Sequence, residues 1–183
     1  MNQMSNRALI PAWVEGALQP VEKLEAHQRG LRHKAVSVFL MEGDFLLIQR
    51  RAMGKYHTPG LWANSCCTHP HWGEDPDDCA RRRLMEELGV AGVTLRHADR
   101  VEYRADVGEG LIEHEVVDLY IGEAPQGLEI HPDPEEVMDW EWIDVEDLAD
   151  EIGEDPSRFT PWLCIYMEKH RNAIFGPRVE AAE

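Results

Sequence analysis

Cys67 and His69 lie two positions apart in Asn64-Ser65-Cys66-Cys67-Thr68-His69-Pro70, and Glu113 and Glu115 repeat that spacing in Ile112-Glu113-His114-Glu115-Val116. In an extended strand residues i and i+2 face the same way. Each pair therefore delivers two reactive side chains into one space, a thiol with an imidazole and a carboxylate with a carboxylate. Brought together they would make a metal site with an acid/base pair beside it. Glu113 and Glu115 share their alternation with Val117, Leu119 and Ile121, which puts both acids on an aliphatic face, and buried carboxylates need a cation or a proton. A lone thiol is by default a small buried hydrophobe. Its pairing with His69 is what singles out Cys67.

These residues need elements to position them. Ala35–Met41 and Asp44–Arg50 are β-rich runs around Glu42-Gly43, which reads as a hairpin with a two-residue turn. Asp75 is a candidate N-cap, with Pro76 at the first helical position and Asp77 and Asp78 in the first turn. Ala80, Leu84 and Leu88 then recur every four residues and Gly89 supplies the stop, so an amphipathic helix is expected. Further strands are expected at Val93–His97, Arg100–Ala105, Gly110–Gly122 and Met138–Ile143, with helices at Val145–Ile152 and Arg158–Phe175.

The 183 residues and 43% hydrophobic content suit one compact domain with a substantial core. No apolar run reaches the ~18 residues a membrane helix needs, and Pro11, Glu15 and Gly16 interrupt any signal-like segment after Met1–Arg7. A cytoplasmic protein without a membrane partner is expected. The four cysteines, Cys66, Cys67, Cys79 and Cys164, lack Cys-x-x-Cys spacing and read as reduced thiols. A net charge of −17 argues against nucleic acid, whose binding draws on clustered cations. An anionic ligand must therefore meet a local basic patch, either Arg50, Arg51 and Lys55 or Arg81, Arg82 and Arg83. The ordinary fate of the second run is a solvated face.

The stretch Thr68 to Val90 resembles the signature of the Nudix family, through Glu74, Arg82, Leu84, Glu86, Glu87, Gly89 and Val90. It departs at the opening glycine, here Thr68, and at the first glutamate of the helical trio, here Arg83. That replacement removes a magnesium ligand and adds a cation, which disfavours pyrophosphohydrolase chemistry. The same departures, with Lys23, His27, His33, Arg51, Lys55, Pro59-Gly60-x-Trp62, Asn64-Ser65-x-Cys67-x-His69-Pro70, Tyr103, Glu113-x-Glu115 and Pro161-Trp162, resemble the type 1 isopentenyl-diphosphate isomerase branch of that family. The resemblance implies one Nudix-type isomerase domain over residues 1–183, of α+β class, with mixed or antiparallel sheets flanked by helices.

The activity it implies is isomerisation of isopentenyl diphosphate to dimethylallyl diphosphate by an allylic proton transfer. Cys67 and Glu115 would exchange protons with the two faces of the hydrocarbon, Tyr103 would hydrogen-bond the Glu115 carboxyl, and Trp162 would offer its indole face to a carbocation. By itself a helix tryptophan is more often core packing. His27, His33, His69, Glu113 and Glu115 would hold one divalent ion, with Mn2+, Zn2+ and Mg2+ all suited to such a nitrogen/oxygen set. For His27 and His33 to reach one ion the chain must fold back, which Gly30 could allow. Arg51 and Lys55, joined by Lys23 and Arg83, would hold the diphosphate together with a Mg2+ on Glu87. Arg83 also stands four residues before Glu87, where a simple helix ion pair is an equal expectation. The small-molecule diphosphate is the expected partner, and the chain is expected to be a monomer or weak homodimer. Two rivals are a Nudix diphosphate hydrolase, kept open by Glu86 and Glu87, and a non-catalytic metal-stabilised fold. His57, His71, His97, His114, His131 and His170 carry no assigned role.

Overall fold

The structure is a computed structural model that describes residues 8–176, so the Met1–Arg7 segment lies outside the described residues. Its frame is a single mixed sheet in which β3 (Arg32–Glu42) is central. β3 runs parallel to β8 (Ile112–Glu123) from Arg32↔His114 to Met41↔Glu123, and β8 is antiparallel to β7 (Leu95–Asp106). On the other side β3 meets β1 (Leu9–Val14), which forms an antiparallel hairpin with β2 (Ala17–Glu22). β4 (Phe45–Arg51) pairs with β5 (Trp62–Asn64) and with β9 (Val137–Asp144), and β6 (Cys66–Thr68) lies on β3.

The alternation of β3 decides which layer sees what. Val36, Val38 and Leu40 point to the face covered by α2 (Pro76–Leu88), where Cys66, Cys79, Ala80, Leu84 and Leu88 complete one core. Ala35, Phe39 and Met41 point the other way, into a second core roofed by α3 (Val145–Glu154), α4 (Pro161–Ile165) and α5 (Arg171–Phe175). His33 and Ser37 share that second face, so the layer that packs apolar side chains along the sheet becomes polar at one end. A bulge in β7 between His97 and Asp99 re-aims its side chains. Leu95 therefore joins the α2 core while Val101 and Tyr103 join the opposite one.

Several expected boundaries shift. The hairpin turn is Gly43-Asp44, one residue later than expected, because Glu42 pairs with Phe45. β3 and β4 stay paired only over Met41↔Leu46 and Glu42↔Phe45, and beyond this β6 takes the place beside β3. The two expected strands of Val93–His97 and Arg100–Ala105 are one bulged strand. The expected Arg158–Phe175 helix is interrupted: a 3-10 turn (Pro156–Arg158) precedes α4, and a π-helical turn (Tyr166–His170) joins α4 to α5. Pro161, whose missing N–H suits a first turn, sets the later start.

The α2 signals act as the residue types dictate. Asp75 accepts from the Asp77 N–H at 2.9 Å, and Gly89 closes the helix at φ 67°, where a side chain would also meet the His131 carbonyl oxygen at 2.8 Å.

Candidate active site and metal centre

At the polar end of the second face, α1 (Lys23–Arg29), the start of β3, the end of β6 and the start of β8 converge. Gly30 ends α1 in the left-handed conformation at φ 60°, so the chain reverses between His27 and His33 as their joint use requires. His27 Nδ1 lies 2.6 Å from the Lys23 carbonyl and His33 Nδ1 lies 2.7 Å from the Leu31 carbonyl. A ring nitrogen facing a carbonyl must carry the proton, so both Nε2 atoms keep their lone pairs. Both are buried without a hydrogen-bond partner, as is His69 Nδ1.

The imidazoles of His27, His33 and His69 stand 4.7 to 5.1 Å apart by ring centroids. Glu115 lies among them, with Oε1 2.9 Å from His69 Nε2 and 3.6 Å from His33 Nε2. One donor atom from each of the four lies within 4.8 Å of every other, the span of ligands on opposite sides of one divalent ion. Buried, unpartnered imidazole nitrogens beside a carboxylate make a donor set for a divalent ion, and the residues fit such an ion. Burial holds His27 down at about 4, with His33 nearby adding to the effect, and pushes His69 well below the ordinary range. Neutral imidazole is the ligating form.

Glu113 stands one step from that group of four. Its Oε2 accepts from the Tyr103 hydroxyl at 2.9 Å, and the same hydroxyl lies 2.7 Å from Glu115 Oε2. Its other oxygen is 3.5 Å from His57 Nε2, and Glu113, His57 and His27 form a second set of potential ligands. Burial, reinforced by the Glu115 charge, raises Glu113 well above the carboxylate range. Burial opposes ionisation of Glu115 too, but the His33 and His69 imidazoles turned toward it outweigh this and hold it well below that range. Burial and the two carboxylates push the Tyr103 phenol well up, which keeps it a donor.

Cys67 faces the same space from β6. Its thiol donates to Asn64 Oδ1 at 2.9 Å and lies 3.1 Å from Ser37 Oγ, which in turn meets the Tyr166 hydroxyl at 2.9 Å. Asn64 cannot turn away, because its Nδ2 donates to the Val38 and Cys66 carbonyls at 3.0 and 3.1 Å. Burial raises the thiol far above its ordinary range, so Cys67 holds its proton at neutral pH.

Cations line the same space. Lys23, Arg51, Lys55 and Arg83 line one chamber with Cys67, Tyr103, Glu113, Glu115 and Trp162, and its free volume is about 20 Å3, room for about one water. Arg83 donates to Glu87 at 2.6 and 3.1 Å while Glu87 accepts from Gln49 at 2.8 Å, so the helix ion pair and the chamber position are both realised. Glu136 anchors Lys55 and lies 3.3 Å from Arg83. Burial and the neighbouring cations lower the Lys23 ammonium to about 7. Arg51 lies with its guanidinium carbon 5.2 Å from the Trp162 ring centroid, so the indole face already meets a cation.

His57, Asn64, Ser37, Gln49 and Glu136 are the site neighbours to which no sequence argument gave a role. Asn64 alone had a sequence signal, its place in the Cys67 string. The remaining histidines stand apart: His71 is half-exposed beside Glu74, His97 binds Asp118, and His114 turns outward to Glu102.

Comparison with known proteins shows the family. The profile of the NUDIX domain covers residues 31–163, and the chain belongs to that family. Crystal structures share the fold: a Deinococcus radiodurans protein at TM-score 0.70 and 17% identity, covering 88% of this chain and 97% of that one, and a MutT NUDIX hydrolase from Burkholderia pseudomallei at 0.59 and 22%, covering 75% and 97%. Within the family its place is among the isopentenyl-diphosphate Delta-isomerases. It is 67% identical to that protein of Cereibacter sphaeroides (strain KD131 / KCTC 12085) over 92% of this chain and 95% of the relative. It is 63% identical to that of Rhodobacter capsulatus over 92% and 96%.

Proposed function

We propose that this chain, read as one domain over residues 1–183, interconverts isopentenyl diphosphate and dimethylallyl diphosphate. The observation that supports this most is that four cations, the Cys67 thiol and the two carboxylates Glu113 and Glu115 line one chamber. As it stands the chamber has room for about one water, so the substrate enters as it opens toward the adjoining cavity of about 830 Å3 that shares Lys55, Tyr56 and His57 with it; Lys23, Arg51, Lys55 and Arg83 then hold the diphosphate and fix the direction of the five-carbon tail.

The terminal methylene carbon takes one proton and the carbon beside the CH2–O group gives one up, so the double bond moves with no change of oxidation state. Cys67 and Glu115 each give or take one of these protons, and reversing their roles reverses the reaction. Asn64 and Ser37 hold the Cys67 sulfur in place. Tyr103 holds the Glu115 carboxyl and links it to Glu113, so a proton gained or lost by Glu115 can be passed to or from Glu113. Trp162 shields the cationic carbon from water.

His27, His33, His69, Glu113 and Glu115 would hold the divalent ion, Mn2+, Zn2+ or Mg2+, whose charge keeps the carboxylates ionised. A Mg2+ between Glu87 and the diphosphate would share that carboxylate with Arg83 and Gln49. The hydrolase rival is weakened at α2, where Arg83 stands in place of the first glutamate of the trio, removing one magnesium ligand and adding a cation paired to Glu86 and Glu87. No helix among the described residues is long and apolar enough to cross a membrane. Our reading places the chain in the cytoplasm, as a monomer or weak homodimer.

Proton NMR of isopentenyl diphosphate incubated in D2O with Mg2+ tests the assignment. Deuterated dimethylallyl methyl signals that disappear in Cys67→Ala are expected. An inert, folded, metal-loaded wild-type protein that instead releases phosphate from a diphosphate panel would replace isomerisation with hydrolysis.

A further inference from the structure

Tyr56 lines both the chamber and the larger cavity beside it. Its ring is held by its neighbours, edge-on to His27 at 5.8 Å and to His57 at 4.3 Å, with Lys23 Nζ 5.3 Å from its centroid. The backbone on either side is held too. The Lys55 N–H donates to the Ala52 carbonyl at 3.2 Å, and the Arg51 guanidinium donates to the His57 carbonyl at 3.1 Å. The hydroxyl is different: it is buried and has no hydrogen-bond partner among the described residues. Burying a hydroxyl that meets nothing costs free energy, and a phenylalanine would fill the same space without that cost.

The charges close enough to act on this hydroxyl belong to the chamber. Burial and then Glu113 push the phenol well above its ordinary range, with Arg51 opposing and Glu115 adding to the rise, so it keeps its proton and is a donor. Two more buried donors lack partners, Arg51 Nε and Trp162 Nε1, and both residues line the same chamber. The carboxylate oxygens at hand are already engaged, Glu115 by Tyr103 and His69 and Glu113 by Tyr103 and His57. Three unmet donors therefore call for an acceptor that the chain does not supply. Phosphate oxygens answer that need and a hydrocarbon cannot. In the proposed reaction the diphosphate lies among the cations and the five-carbon chain lies by Cys67 and Glu115. A donor in reach of Arg51 and of the carboxylates falls where those two parts of the substrate join.

We propose that Tyr56 is a further substrate-binding residue: its hydroxyl donates to an oxygen of the phosphate next to the five-carbon chain and fixes where that chain leaves the diphosphate. This rests on the reading of the chamber as a diphosphate site, which the wild-type protein tests separately.

Three measurements on wild type and Tyr56→Phe decide it: calorimetric titration with inorganic pyrophosphate and Mg2+, NMR rates on isopentenyl diphosphate, and thermal unfolding without ligand. The variant removes the hydroxyl and keeps the ring. Pyrophosphate affinity should weaken and KM should rise, each about tenfold, with kcat within about twofold and the unfolding temperature the same or higher. Unaltered affinity and KM overturn the proposal. So does a fall in kcat alone, which would put the hydroxyl to work on the reacting carbons or the carboxylates, and so does a lowered unfolding temperature with unaltered affinity, the mark of a structural partner. Wild type that binds no pyrophosphate overturns the diphosphate site and Tyr56 with it. Wild type that binds pyrophosphate through Tyr56 yet leaves isopentenyl diphosphate unchanged overturns the isomerase reading and keeps the contact.

Discussion

Two carboxylate-bearing regions border the chamber, and they are built on opposite plans. On α2, Glu87 is clasped by Arg83 and Gln49, and Glu86 by Arg82 at 3.1 Å and Arg83 at 2.8 Å. In the His/Glu cluster the imidazoles of His27 and His33 spend their N–H groups on backbone carbonyls and leave buried lone pairs unused. A carboxylate met by guanidinium is already neutralised, whereas a buried, unmatched lone pair costs free energy until a cation meets it. The position of an arginine at 83 thus moves the strongest demand for a metal ion off the helix and onto the strands.

Glu115→Gln should break that contrast most severely, removing a candidate acid/base and an anionic ligand together. Turnover is expected to fall about 10^3-fold or more, followed by NMR, with metal content lower by elemental analysis. His33→Ala tests the metal side alone. It should weaken ion binding about 100-fold, while Glu86→Gln leaves the cluster's ion in place; equal losses in titrations of the two would end the distinction between the regions.

Arg83→Ala exposes the other plan. It leaves Glu87 buried beside Gln49 with no guanidinium, and urea denaturation should show a loss of about 3 kcal/mol, with KM for the diphosphate raised. Arg82→Ala, whose Glu74 and Glu86 partners are nearer solvent, should cost about 1 kcal/mol or less by the same assay.

Lys23 sharpens the comparison with a smaller effect. Its ammonium is lowered from 10.5 to about 7, chiefly by burial and then by Lys55, Arg83 and Arg51. The unfolded chain therefore binds more protons between these values, so this lysine's destabilisation is fully present below about pH 7 and relieved as pH rises toward 10.5. A bound diphosphate restores the charge, so binding at about pH 8 to 9 should take up a proton. Calorimetry in buffers of different ionisation enthalpy would detect this, and Lys23→Met should abolish it.

What the sequence disclosed follows from how local each signal is. Cys67 with His69 and Glu113 with Glu115 are legible because two-residue spacing on a strand survives any surrounding fold. The α2 boundaries are legible because Asp75, Pro76 and Gly89 act within a few residues of themselves. The hairpin of β1 and β2 went unread because Pro11, Gly16 and Pro20 break the alternation that marks a strand. His57 went unread because its partners, His27 and Glu113, come from distant elements that only the folded sheet assembles. Arg83 was readable as two things; the helix ion pair with Glu87 is formed, and the residue lines the chamber.

The π-helical turn at Tyr166–His170 has a consequence for how the chain tolerates change. Such a turn amounts to one residue more than an α-helix needs. Tyr166 itself continues α4 with α-helical dihedrals, and its hydroxyl meets Ser37, the neighbour of the Cys67 sulfur. Deleting one residue after Tyr166 would relax the segment to an ordinary helix while leaving Ile174 and Phe175 directed at the core. A single-residue deletion, commonly ruinous within a helix, would here spare both the architecture and the hydroxyl behind the thiol.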